Sequence, residues 1–193
     1  ARLLERTLTE DGRDAQVLNA GVPGYNLFQT THRYRKVIAP LSPDVVVLYL
    51  GWNDLTYLTS DEPAAERHRV GHPYAWWERM LSHSTLYGLI AYRRLSPPAR
   101  FVPPPATRSE PTHAGAAQFR ENLRTLLNEI RAGGAQPMIV AQVMAADARA
   151  GDDVRGYLGA TPEQQQQNAA LGQWVQQTLA EIAAEEQVPF VDA

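Results

Sequence analysis

At 193 residues, with 44% apolar side chains and a net charge of -3, the chain has the size and composition of one domain with a sizeable core. Eighteen basic against 21 acidic residues leave no electrostatic footprint for nucleic acid. The absence of cysteine excludes a disulfide framework, a thiolate metal site and a catalytic thiol, and no apolar run nears the roughly 20 residues that span a bilayer.

Leu4 and Leu8, four apart, mark a first helix that closes near Asp11-Gly12. Ala15-Gln16-Val17-Leu18 follows as a short strand. Leu27, Thr31, Tyr34, Ile38 and Leu41 then recur at helical spacing until Ser42-Pro43 stops the helix. Arg33, Arg35 and Lys36 share that helix and read as a solvated face. Val45-Val46-Val47-Leu48-Tyr49-Leu50 is continuously apolar, the pattern of a parallel strand covered on both faces.

The stretch from about 57 to 112 departs from this alternation and reads as an insertion within a single domain spanning 1–193. It holds a helical piece near 74–95, with Tyr74, Trp76, Trp77 and Tyr87, and a proline tract from Ser96-Pro97-Pro98 to Pro103-Pro104-Pro105. Order resumes with Phe119, Leu123, Leu126, Leu127 and Ile130, a helix ended by Gly133-Gly134. Pro137–Ala141 predicts a strand, and a polar loop runs through Gly151-Asp152-Asp153. Thr161-Pro162-Glu163-Gln164 predicts an N-cap and capping box for a helix carrying Leu171, Trp174, Val175, Leu179 and Ile182. Val188–Val191 predicts a last strand. Strands separated by helices imply α/β architecture with a parallel sheet. The chain opens inside a helix and stops at a strand end, so both ends read as cuts through a fold.

Two segments carry the chemistry. Asn19-Ala20-Gly21-Val22-Pro23-Gly24-Tyr25-Asn26 follows the first strand, and Gly51-Trp52-Asn53-Asp54 follows the second. Both therefore lie on the rim where strand ends of an open α/β sheet meet a ligand. Gly24, without a Cβ, lets a carbonyl oxygen approach its N–H, and Asn53 offers an amide donor. Asp54 beside it is suited to accept backbone N–H bonds. Two donors converging on one point suit a developing oxyanion.

Asn-x-Gly-x-x-Gly after one strand and Gly-x-Asn-Asp after the next resemble blocks II and III of the SGNH (GDSL-type) hydrolases, as does the approach Pro43-Asp44-Val45-Val46-Val47-Leu48. The resemblance is close over residues 1–56 and topological beyond. It implies a flavodoxin-like three-layer α/β/α sandwich that hydrolyses esters of small molecules or acylated carbohydrates, without a cofactor or metal. It further implies that Gly24 and Asn53 are oxyanion-hole donors. The family's nucleophile stands in a Gly-Asp-Ser block and its base in Asp-x-x-His; this chain contains neither, so the expectation is a fragment inactive by itself. Acyl transfer to a sugar hydroxyl and non-catalytic ligand binding are the alternative readings.

Other reactive residues read as structural. Ser82 and Ser84 flank His83 on a predicted helix, where neighbouring side chains diverge, so the cluster reads as a cap. His68 and His72 have metal spacing, but Gly71 and Pro73 disfavour the helix it needs. His32 reads as a helix-face residue and His113 as a helix-start residue. Trp76, Trp77 and Tyr87 read as packing. Asp192, with no His three residues later, is not assigned to a triad.

Overall fold

Three apolar runs pair side by side in the computed structural model, which describes residues 1–61, 108–141 and 161–192. Strand β1 (Val45–Tyr49) pairs in parallel with β2 (Gln136–Val140), from Val45 opposite Gln136 to Tyr49 opposite Val140. β2 pairs in parallel with β3 (Phe190–Val191), in the order β1-β2-β3. Helices occupy the connections, as parallel strands require. Helices α1 (Arg2–Glu10) and α2 (Leu27–Arg33) precede β1, while α3 (Leu55–Leu58) and α4 (His113–Ala132) lie between β1 and β2 and α5 (Pro162–Glu185) between β2 and β3.

The two long helices form where the apolar spacing predicts them. Phe119, Leu123, Leu126, Leu127 and Ile130 of α4 are buried, with Leu171, Val175, Leu179 and Ile182 of α5, around Leu48 and Ile139 of the sheet. Each such side chain contributes about 1.5–3 kcal/mol by leaving water. Thr161 caps α5 by accepting the Gln164 N–H. At the surface, Arg120 reaches Glu181, Arg124 reaches Glu185 and Arg131 reaches Glu186. These exposed pairs align α4 with α5 and add little stability.

Four expectations change. Ala15–Leu18 forms no strand: the Val17 N–H is held by the Glu5 carboxylate, and Leu18 is 60% exposed. A strand exists by pairing, and among the described residues β1 pairs with β2 alone. The apolar run of β1 is covered on one face, burying Leu48, while Val45, Val47 and Tyr49 are at least half exposed. The 27–41 helix continues past Arg33 as a π-helical turn (Tyr34–Ile38) and a 3-10 turn (Ala39–Leu41), which rotates Leu41 into solvent. The last strand pairs over Phe190–Val191 only; Pro189, which has no N–H to give, contributes its carbonyl to Ile139. Helix α1 closes at Asp11 and Gly12 as expected, yet none of its residues is buried.

The chain leaves α3 and re-enters α4 at one place. The Thr112 N–H donates to the Leu58 carbonyl at 2.8 Å and its hydroxyl to the Ser60 carbonyl at 2.7 Å. The same hydroxyl caps α4 by accepting the Gly115 N–H, and Arg108 pairs with Asp61. The predicted 74–95 helix, the proline tract and the polar loop near 151–153 lie outside the described residues.

Gly115 sits where α4 meets the end of α3, and a Cβ there would stand 2.2 Å from the Leu58 carbonyl oxygen. Backbone cannot yield as a side-chain tip can. Gly115→Ala is therefore expected to destabilise the chain by about 3 kcal/mol, read as a lower urea midpoint with an unchanged denaturant slope.

Candidate functional site

The carboxyl end of β1 leads through Leu50 and Gly51 into a 3-10 turn, Trp52–Asp54. Gly51 adopts φ +123°, and a Cβ on it would lie 2.6 Å from Val175 of α5, so the turn sits tight against the core. Asn53 and Asp54 are the last two residues of this turn.

The second rim segment is built from local backbone chemistry. Asn19 accepts the Gly21 N–H through its side chain, an Asx turn. The Tyr25 N–H donates to the Val22 carbonyl at 3.3 Å, with Pro23 and Gly24 between them and Gly24 at φ +85°. Pro followed by a positive-φ Gly is the signature of a type II turn. Asn26 then caps α2: its side chain accepts the Gln29 N–H, and its own N–H donates to the Gln29 side chain. This complete capping box was legible as Asn-x-x-Gln and is absent from the expectations above. Arg33 of α2 holds the segment further back, donating to the Ala20 carbonyl.

The two segments meet through successive side chains of the 52–54 turn. Asn53 Nδ2 donates to the Tyr25 carbonyl at 3.0 Å, and Asp54 Oδ1 accepts the Leu27 N–H at 3.0 Å. Tyr25 and Leu27 flank Asn26, so the two bonds grip the start of α2 on both sides. One Asn53 amide hydrogen is committed to Tyr25. Among the described residues its other hydrogen has no acceptor, nor has the Gly24 N–H one residue before Tyr25. The expected acceptor role of Asp54 is present, but its donor lies 27 positions away on α2. No local sequence signal carries that pairing.

Asp54 is 6% exposed, and its Oδ2 has no hydrogen-bond partner. Burial pushes its carboxyl from 3.8 up to about 7, outweighing the Leu27 N–H, which favours the carboxylate.

The remaining candidates are dispersed. His32 is exposed in the last turn of α2, and His113 is the exposed first residue of α4. Asp192 is exposed just past β3. His68, His72, Trp76, Trp77, Ser82, His83, Ser84 and Tyr87 lie outside the described residues. Arg33 and Arg35 are engaged, by the Ala20 carbonyl and by Glu129 respectively. Among the described residues no three His, Cys, Asp or Glu groups cluster to hold a metal ion, and no helix is long and apolar enough to cross a membrane. A pocket lined by Arg131, Gln136, Gln187 and Pro189 lies at the amino ends of the strands, away from the rim.

The raised Asp54 carboxyl sets a sign for pH dependence. The folded chain keeps this proton up to about pH 7, whereas the unfolded chain releases it near 3.8. The group's favourable contribution is therefore complete below pH 4, falls as pH rises to 7, and is level above. Between pH 5 and 8 the wild-type chain is expected to lose roughly 2–3 kcal/mol relative to Asp54→Asn, measured as the difference between their urea unfolding free energies.

Compared with curated proteins and with solved structures, the chain finds no match. It does match, over residues 1–193, the GDSL-like Lipase/Acylhydrolase family. With that match along its whole length and a parallel α/β sheet in its structure, the chain belongs to the GDSL-like lipase/acylhydrolase family, whose chemistry is the hydrolysis of acyl esters.

Proposed function

We propose that this chain supplies the oxyanion-binding part of an ester-hydrolysing site, with the Gly24 N–H and the Asn53 Nδ2–H as donors. The observation that carries this reading is the junction of the two rim turns. Asn53 is tied by one amide hydrogen to Tyr25, the residue next to Gly24, and among the described residues the other hydrogen has no acceptor and is available to a ligand. When a nucleophile adds to an ester carbonyl, the oxygen takes up negative charge, and donors already in place stabilise that charge without reorganising.

The nucleophile in this reading is a serine hydroxyl. It adds to the carbonyl carbon while its proton passes to a histidine, which returns that proton to the departing alkoxide. The chain carries neither Gly-Asp-Ser nor Asp-x-x-His, so residues 1–193 alone bind the oxyanion and do not turn over. The substrate class is a small-molecule acyl ester. We also read 57–112 as an insertion in one domain spanning 1–193, supported by the meeting of its two ends at Asp61–Arg108 and Ser60–Thr112.

The test joins this chain to segments carrying Gly-Asp-Ser and Asp-x-x-His and follows hydrolysis of a short-chain aryl ester. Asn53→Ala is expected to lower kcat about 100-fold or more with an unchanged far-ultraviolet circular dichroism spectrum. Turnover near that of the unsubstituted protein would remove Asn53 from the oxyanion site. The chain alone is expected to show no labelling by a serine-reactive fluorophosphonate; a labelled serine within 1–193 would overturn its assignment as inactive.

A further inference from the structure

We propose that Asp54 is the positioning residue of this rim: by accepting the Leu27 N–H it holds the Gly24–Leu27 segment against the 52–54 turn and so aims the Asn53 amide. The inference rests on the oxyanion reading and adds to it the group that sets the donor geometry.

Three observations support it. Asp54 adjoins Asn53 in a turn of about three residues per revolution, so their side chains diverge. Asn53 reaches outward to the Tyr25 carbonyl, while Asp54 reaches inward to the Leu27 N–H. Tyr25 and Leu27 lie on either side of Asn26, whose capping box makes that stretch a rigid corner. Movement of Leu27 away from Asp54 therefore carries the Tyr25 carbonyl with it, and with that carbonyl goes the anchor of the Asn53 amide. Finally, the carboxyl is poorly chosen for stability alone, because its Oδ2 is buried without a partner. An unsatisfied buried polar atom costs about 1–3 kcal/mol, and an apolar side chain of similar volume would avoid that cost. What an apolar side chain lacks is the acceptor for Leu27.

Among the described residues, the elements packed around the rim bring no charged partner to this carboxyl. Their buried side chains include Leu27 and Thr31 of α2, Leu55 and Leu58 of α3, Phe119 of α4 and Val175 of α5, none of them titratable. His32 of α2 and His113 of α4 are exposed. The two effects that act on Asp54 are burial and the Leu27 N–H.

The test uses amide NMR of residues 1–193 as wild type, Asp54→Asn and Asp54→Leu. Asp54→Leu removes the acceptor and is expected to shift the Asn53 side-chain amide resonances and to speed their hydrogen exchange at least about 10-fold. Gly133 and Gly134, at the far end of α4, should stay unmoved. Asp54→Asn retains an acceptor oxygen and is expected to preserve the Asn53 signals. In the protein joined to its nucleophile, Asp54→Leu should lower kcat about 10- to 100-fold with KM within about twofold, and Asp54→Asn should restore most of it. An Asn53 amide indifferent to Asp54→Leu overturns the proposal.

Should Asp54→Leu not fold, the wild-type chain still decides. As pH passes through the Asp54 ionisation, the Leu27 amide and the Asn53 side-chain amide should shift together with one midpoint. A Leu27 signal that titrates while Asn53 stays still overturns the positioning role. If Asn53 follows Asp54 but Asn53→Ala keeps full turnover, the positioning stands and the oxyanion assignment falls.

Discussion

A single buried carboxyl joins the parts of this molecule that sequence keeps apart. Asp54 lies at the end of the turn that follows β1, and its hydrogen bond from Leu27 fastens the first residue of α2 to that turn. The neighbouring Asn53 fastens the carbonyl of Tyr25. Glycine freedom at Gly24 and Gly51 lets both backbones take the turns this closeness demands. The core behind them is conventional: α4 and α5 bury leucine and isoleucine against Leu48 and Ile139 and give the rim a rigid base.

The proposed chemistry follows from which donors are used and which are left. Around the rim the N–H groups of Gly21, Tyr25 and Asn26 are consumed locally, by the Asx turn at Asn19, the turn at Val22–Tyr25 and the capping box at Asn26. Among the described residues the Gly24 N–H and one hydrogen of Asn53 have no acceptor. Donors that are held in place before charge develops do not have to reorganise, and that is the main source of electrostatic catalysis in acyl transfer. Family membership places the chain among acylhydrolases.

The stability of the arrangement is uneven. The apolar faces of α4 and α5 are fully buried and the helices are cross-braced at the surface, whereas α1 buries no residue and alternate residues of β1 are half exposed. A parallel sheet ordinarily has both faces covered. Here the described helices α4 and α5 pack with Leu48 and Ile139, and Val45, Val47 and Tyr49 keep contact with solvent.

Much of this was determined by the sequence alone, because the determinants are local. Apolar spacing of 3.6 specified α4 and α5 with their buried faces, Thr161-Pro162 specified a helix start, and Pro23-Gly24 and Gly51-Trp52-Asn53-Asp54 marked the two turns whose residue types suit oxyanion chemistry. The continuous apolar run of β1 predicted cover on both faces, but Val45, Val47 and Tyr49 are half exposed, since cover depends on helices far away in the chain. The strand expected at Ala15–Leu18 failed for the same reason: pairing is a property of two segments, and composition describes one. Tertiary structure alone decided that the Leu27 N–H meets Asp54 and that Tyr25 anchors Asn53. A hydrogen bond between residues 27 or 28 positions apart leaves no periodic trace in sequence; it exists because Leu27 and Leu55 pack into one core and bring the two turns within the 3 Å over which such bonds act.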